Sequence, residues 1–190
     1  MSESKLCSWA YRSEEERLYH DTEWGRPVHD DAILFEFLIL ETMQAGLTWT
    51  MVLKRRESMR AAFDQFDINK IALYDEAKEA ELLKNPGIIR HRLKIASLRK
   101  NAQAFRKVQS EFGSFDAYIW HFTNGNVIQG SWSTQAEVPG VTPLAESISK
   151  DLKKRGFTFV GPTIVYAFLQ AIGVVNDHIM TCPQYKELSQ

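Results

Sequence analysis

LLKNPGIIRHRLKIASLRKNAQAF, residues 82–105, reads as an apolar helix end, a tight Pro86-Gly87-Ile88-Ile89 turn and a second helix rich in Arg and Lys. That order has the shape of a helix-hairpin-helix. Gly87 permits close backbone approach. Arg90 is expected to open the second helix, where free backbone N–H groups can hold a phosphate while Arg90, Arg92 and Lys94 neutralise its neighbours. Any αα-hairpin needs a turn residue, however, and the second glycine common in such motifs is replaced here by Ile89 or Arg90. The charge pattern adds to the reading. Leu82 to Ser110 holds Lys84, Arg90, Arg92, Lys94, Arg99, Lys100, Arg106 and Lys107 and no Asp or Glu, whereas the whole chain has a net charge of -1. One basic segment in an otherwise acidic protein suits a surface that meets phosphates, although a solvated helix face would have the same composition.

Helical signals extend through nearly the whole chain. Ser13 and Glu16 form a capping box; Asp30 or Asp31, Asp67 and Asp75 can each cap a helix; Thr142-Pro143 reads as an N-cap and first helical position. Gly46, Gly113, Gly156 and Gly173 fall where helices should stop. Asn124-Gly125 can turn a small hairpin or a loop. With 44% hydrophobic residues, 190 residues suffice for one cored domain spanning 1–190, or two helical lobes sharing an interface. The expected fold is all-α and multi-helical. The longest apolar run is broken by charge well short of a membrane span and no signal peptide is evident, so a cytoplasmic protein is expected.

AILFEFLILETMQAGLTWT, residues 32–50, places two carboxylates in that apolar run. On a helix Glu41 shares a face with Leu34, Phe37 and Leu38, and it lies near the negative end of the helix dipole, so its charge is disfavoured twice. Glu36 has equally apolar neighbours. The pattern also fits a glutamate that reaches solvent at an element end.

The two cysteines lie near opposite ends of the chain, each with a histidine at ligand-like spacing: Cys7 with His20, and His178 with Cys182. The second pair is i,i+4, which shares a face if that segment is helical. A tetrahedral Cys2His2 zinc would fasten the termini and leave no open position, which makes it structural. Chance spacing around buried free cysteines is the rival reading, and a disulfide suits a reducing compartment poorly.

CSW at 7–9, YHDTEWGRP at 19–27, LETMQAGLTW at 40–49, GIIRHRLKI at 87–95, KDLKKRGFTFVGPTIVYAFLQAIGVVNDH at 150–178 and Cys182 together resemble the 3-methyladenine DNA glycosylase I family, in the same order over essentially the whole chain. The resemblance implies a helix-hairpin-helix glycosylase fold with zinc on Cys7, His20, His178 and Cys182. It puts Glu41 in a base pocket, accepting from the exocyclic amine of adenine, with Tyr19 and Trp49 lining the pocket and Trp9 and Trp24 nearby. It also points to Gly46 and Leu47 as the pair that approaches the duplex and fills the gap left by a flipped base. The implied partners are double-stranded alkylated DNA and the released 3-methyladenine, and a monomer is expected because excision needs one pocket. The motif departs at Thr42 and Met43, where the family often has a small residue and Gln, and at Glu16, where an aromatic is expected near the pocket lip.

These residue types suit the chemistry. Ring methylation makes the base cationic, so aromatic faces and a desolvated carboxylate prefer it to neutral adenine. Such a base leaves as a neutral molecule, and strong acid catalysis is unnecessary. No Asp occurs between Asp75 and Asp116 and the resemblance places no lysine as a Schiff-base nucleophile, which fits a monofunctional enzyme. A zinc-clasped binding module without catalysis shares the hairpin and the ligands but leaves Glu41 unexplained. A zinc hydrolase or deaminase fits less well, since its H-x-E and P-C-x-x-C pattern is absent.

Overall fold

A computed structural model describes residues 6–189. Its helices are α1 (Glu14–Thr22), α2 (Asp31–Gln44), α3 (Trp49–Ala62), α4 (Ile68–Ile71), α5 (Glu76–Leu82), α6 (Arg92–Phe112), α7 (Phe115–His121), α8 (Pro143–Lys154), α9 (Pro162–Ala171) and α10 (Pro183–Glu187), with a 3-10 turn at Ser8–Tyr11 before them. The only strands among the described residues are β1 (Ile128–Gln129) and β2 (Val175–Asn176), which pair in parallel. The all-α expectation holds.

Helix α2 is the axis of the molecule. Leu34, Phe35 and every residue from Phe37 to Met43 are buried, because α3, α6, α7 and α9 pack around it. A helix apolar on all sides needs such a coat, and each fully buried Leu or Phe stabilises by about 1.5–3 kcal/mol. Asp30 caps α2 by accepting from the N–H groups of Ala32 and Ile33. Asp31 acts across the fold instead. It accepts from the Phe115 and Asp116 N–H groups, at 2.9 and 2.8 Å, and so caps α7.

The two glutamates of α2 separate cleanly. Glu36 accepts from Arg56 at 2.7 Å and from Arg60 at 2.5 Å, and Arg56 also bridges to Glu23. Its apolar sequence neighbours concealed two arginines from α3. Glu36→Gln is expected to lower stability by about 1–2 kcal/mol through this half-buried network, with pocket chemistry untouched. Urea unfolding alongside a base-binding assay checks both halves of that statement.

The α5–turn–α6 unit forms as expected, with one shift of register. Asn85 Oδ1 accepts from Gly87 N–H at 2.9 Å, and Ile88 and Ile89 are buried, pinning the turn to the core. Helix α6 begins at Arg92, with His91 as its N-cap, so Arg90 stands ahead of the helix rather than opening it. Along α6, Ile95, Leu98, Ala102, Phe105 and Val108 are buried while Lys100, Arg106 and Lys107 are exposed. That is the pattern of an amphipathic helix.

Of three further expectations, one changes in the folded chain, one is decided between its alternatives and one holds. The capping box is half-formed: Ser13 accepts from Glu16 N–H, but the Glu16 carboxylate turns inward to the Thr50 hydroxyl. Asn124-Gly125 makes a turn that delivers the chain to β1, whose partner is β2, so no hairpin forms. Gly173 ends α9 with φ +73°, and a Cβ there would sit 2.2 Å from the Arg26 carbonyl carbon. Only glycine allows residues 25–28 to lie against the end of α9, where Gly25 and Val28 N–H groups donate to the Gln170 and Ile172 carbonyls.

Candidate functional site

Helices α1, α2 and α3 enclose a cavity of about 300 Å³, closed on its far side by α9 and the loop around Gln135. Glu41 projects into it from the last turns of α2, Tyr19 and Glu16 from α1, and Trp49 from the start of α3. Tyr19 lies 5.2 Å from Trp49 and 6.1 Å from Trp9 between ring centroids, and Trp9 meets Trp24 edge-on at 4.9 Å. The wall is therefore a continuous set of aromatic surfaces around a carboxylate.

Five buried side-chain polar atoms lack a hydrogen-bond partner among the described residues, and four belong to this cavity: Glu16 Oε2, Glu41 Oε2, Trp49 Nε1 and Gln135 Oε1. The fifth, Glu79 Oε1, is ion-paired with Arg99 at 3.1 Å. Folded proteins satisfy most such atoms, so their concentration at one place marks a site built for a polar ligand. Burial pushes the Glu41 carboxyl up to about 8. Burial, and then the neighbouring Glu41 charge, also hold the Tyr19 phenol well above its ordinary value, leaving it neutral. The cavity is thus primed for a flat ligand that carries N–H donors and positive charge.

Beside this wall, the ligand atoms of Cys7, His20, His178 and Cys182 lie within 4.8 Å of one another, all buried. Three S···N separations are 3.6 Å: Cys7 to His178 Nδ1, Cys182 to His178 Nδ1 and Cys182 to His20 Nε2. An edge of about 3.6 Å is what a tetrahedral ion with metal–S near 2.3 Å and metal–N near 2.0–2.1 Å requires. The outer nitrogens are engaged as metal-bound histidines usually are: His20 Nδ1 with Asp21 at 2.7 Å and His178 Nε2 with the Trp24 carbonyl at 3.1 Å. Four such side chains could hold a metal ion. The i,i+4 helical face is not how the second pair meets, because residues 178–182 form a turn closed by Cys182 N–H on the Ile179 carbonyl. Both cysteines are free thiols, not a disulfide.

The α2–α3 connection places Gly46 and Leu47 in one groove with Pro86, Ile89 and Arg90 of the hairpin turn. Gly46 has φ +75° and is exposed, while Leu47 is partly packed on the core. Arg90 and Arg92 are exposed and make no ion pair among the described residues. Lys94 differs from the expectation of a backbone-binding cation. It is 4% exposed, and its Nζ donates to the Met43 and Ala45 carbonyls at 2.7 and 2.5 Å. It is a cap on the last turn of the Glu41 helix, favoured there by the helix dipole. The sequence reading also missed Gln44, one turn from Glu41, which helical spacing could have supplied, and Gln135, for which no local signal exists.

The fold is all-α and carries an aromatic, carboxylate-bearing pocket and an exposed basic turn, features that suit a flat, positively charged group and an anionic polymer respectively. The sequence profile of the methyladenine glycosylase family matches residues 9–185, and the chain belongs to that family. It is 44% identical over 179 residues to DNA-3-methyladenine glycosylase 1 of Escherichia coli, covering 94% of this chain and 96% of that one. With DNA-3-methyladenine glycosylase of Haemophilus influenzae it shares 43% identity over 177 residues, 93% of this chain and 96% of that one. A crystal structure of a single-residue variant of 3-methyladenine DNA glycosylase I in complex with 3-methyladenine superposes with a TM-score of 0.92 at 33% identity, covering 94% of this chain and 96% of that one.

Proposed function

We propose that the chain removes 3-methyladenine from double-stranded alkylated DNA by hydrolysing its N-glycosidic bond, leaving the strand uncut. The observation that carries this reading is Glu41, a buried carboxylate with an unpartnered oxygen inside an aromatic cavity. A flipped 3-methyladenine supplies what that atom lacks: an exocyclic N–H donor and a positive charge. Tyr19 and Trp49 offer ring faces, and Trp9 and Trp24 support them from behind. Because the charged base departs neutral, the residues act by extruding, selecting and positioning it. Incubation with methylated duplex should release 3-methyladenine without strand scission; intact glycosidic bonds under those conditions overturn the reading.

On the duplex side, Leu47 fills the vacated stack as Gly46 lets the backbone approach, and Arg90 and Arg92 neutralise phosphates as Gly87 admits the strand. Replacing Arg90 and Arg92 together by Ala is expected to weaken binding to any duplex and to reduce the magnitude of the log K versus log salt slope by about 2. Free 3-methyladenine should bind as before. An unchanged slope would move the DNA surface elsewhere. Lys94→Ala should instead destabilise the protein, since it uncaps α2.

The metal is zinc, held by Cys7, His20, His178 and Cys182. Two thiolates and two imidazoles at these separations suit a tetrahedral zinc with every position filled by protein, so its contribution is to hold structure. Excision needs only one pocket, so a monomer suffices, and among the described residues no helix is long and apolar enough to cross a membrane. Work in the cytoplasm is consistent with both.

A further inference from the structure

Glu16 has no part in the chemistry described so far, yet it is the more deeply buried of the two pocket carboxylates, at 1% exposed. It lies on α1 one turn before Tyr19, in the first turn of that helix, where the dipole favours a negative charge. Its Oε1 accepts the Thr50 hydroxyl, which fixes the rotamer, and its Oε2 is left without a partner in the cavity. No cation neutralises it among the described residues; Arg12 is exposed at the cavity and makes no ion pair with it. A carboxylate needed only as a helix-capping partner would have bonded back to the Ser13 N–H, and one needed only to anchor Thr50 would require a single acceptor. The second oxygen, buried and unused, has a cost that a ligand can offset.

The geometry points to Glu16 as a second base-reading group, which gives the cavity two carboxylates for one ligand. Glu41 accepts from one hydrogen of the exocyclic amine and Glu16 from the other, so the favoured ligand is a cationic purine whose exocyclic amine is unsubstituted. This rests on the base-excision reading above and specifies which bases that same pocket ranks highest. The arrangement divides the labour. Glu41 sits at the unfavourable end of α2 and gains most from a cation, while Glu16 is held in place by Thr50 and supplies a fixed acceptor. Trp49 Nε1, also unpartnered, adds one donor for a ring nitrogen or oxygen on the remaining edge.

The test compares wild type with Glu16→Gln, which keeps the shape and an oxygen for the Thr50 hydroxyl but removes the charge. Free 3-methyladenine and unmodified adenine are the probes, titrated by intrinsic tryptophan fluorescence in mildly acidic solution, where protonation returns to 3-methyladenine the positive charge it loses on release, with excision from methylated duplex, where the base is already cationic, measured in parallel. The expected result is about tenfold weaker binding of 3-methyladenine, a narrowed preference for it over adenine, and a similar loss in kcat/KM at unchanged duplex affinity. Thr50→Val should give a smaller loss in wild type and none in the Glu16→Gln background, because it acts only by orienting the carboxylate. Equal base binding and selectivity in Glu16→Gln and wild type overturn the inference. So does a loss confined to kcat, which would place Glu16 on the sugar side of the bond. If wild type itself neither binds nor excises 3-methyladenine, the failure lies in the base-excision reading instead.

Discussion

Glu41→Gln is expected to lose about 30-fold or more in kcat/KM for 3-methyladenine while becoming more stable than wild type in alkaline solution. The two effects have one cause. Burial without a compensating donor raises the Glu41 carboxyl from 4.5 to about 8 in the folded protein. Between those values the folded chain holds a proton that the unfolded chain has released, so this group's contribution to stability is complete below about 4.5, is lost as pH rises and is fully gone above about 8. The decline amounts to as much as about 5 kcal/mol, the equivalent of the full shift, and less where water or local relaxation relieves the charge. Glutamine cannot ionise and escapes it. Urea unfolding of both proteins at pH 5 and pH 9 should show wild type losing stability relative to the variant; parallel pH dependences would mean that Glu41 is not desolvated as the cavity implies.

The same proton explains how selectivity and stability trade against each other. In the empty pocket near neutral pH, Glu41 is mostly protonated, and a cationic base displaces that proton. Excision in kcat/KM should therefore rise with pH until the carboxyl ionises near 8 in the free enzyme, and Glu41→Gln should flatten that limb. The variant's loss of about 2 kcal/mol or more follows from removing one charged hydrogen bond in a desolvated site. Its gain in stability marks the site as one maintained for its ligand rather than for the fold.

Which parts of this arrangement could be read from the chain depends on how far apart the interacting residues are. Helix caps at Ser13, Asp30, Asp67, Asp75, Ser114 and Thr142 act within three residues, and five of those six were legible; Ser114 was overlooked although it accepts from Ala117 N–H. The apolar axis of α2 and the hairpin turn were equally plain, since their patterns are local. Residues whose partners lie far off in sequence were not. Nothing near Glu36 announces Arg56 and Arg60, nothing near Lys94 announces the carbonyls of Met43 and Ala45, and nothing near Asp31 announces the start of α7. In sequence Lys94 is one cation in a basic run, yet it is buried while its neighbours Arg90 and Arg92 remain at the surface. For the pocket, the resemblance supplied Glu41, Tyr19 and Trp49, and the fold brings them together; Gln135 comes from a single 3-10 turn, Gln135–Glu137, too short for a periodic signal to place it.

Removing the metal centre is expected to have the largest effect on stability, and to disturb base binding before the fold is lost. Cys7 precedes the first turn, His20 lies on α1, and His178 and Cys182 come from the C-terminal loop, so the four join segments more than 150 residues apart. Without an ion the cluster is two buried thiols and two buried imidazoles held together only by weak sulfur hydrogen bonds at 3.6 Å. Cys182→Ser should abolish one-to-one zinc content and lower stability by several kcal/mol, less than the roughly 10–16 kcal/mol of a zinc-finger peptide because the large apolar core around α2 also stabilises the fold. The pocket feels the loss through aromatic contacts. Trp9 packs edge-on against His20 at 5.2 Å and Trp24 against His178 at 4.6 Å, while the Trp24 carbonyl also engages His178. Loosening those histidines releases the wall behind Tyr19. Chelator titration followed by tryptophan fluorescence, circular dichroism and 3-methyladenine binding should show base affinity falling at chelator concentrations where helix content is intact. Metal-free protein with wild-type melting and full base affinity would show that the cluster is an ordinary piece of core.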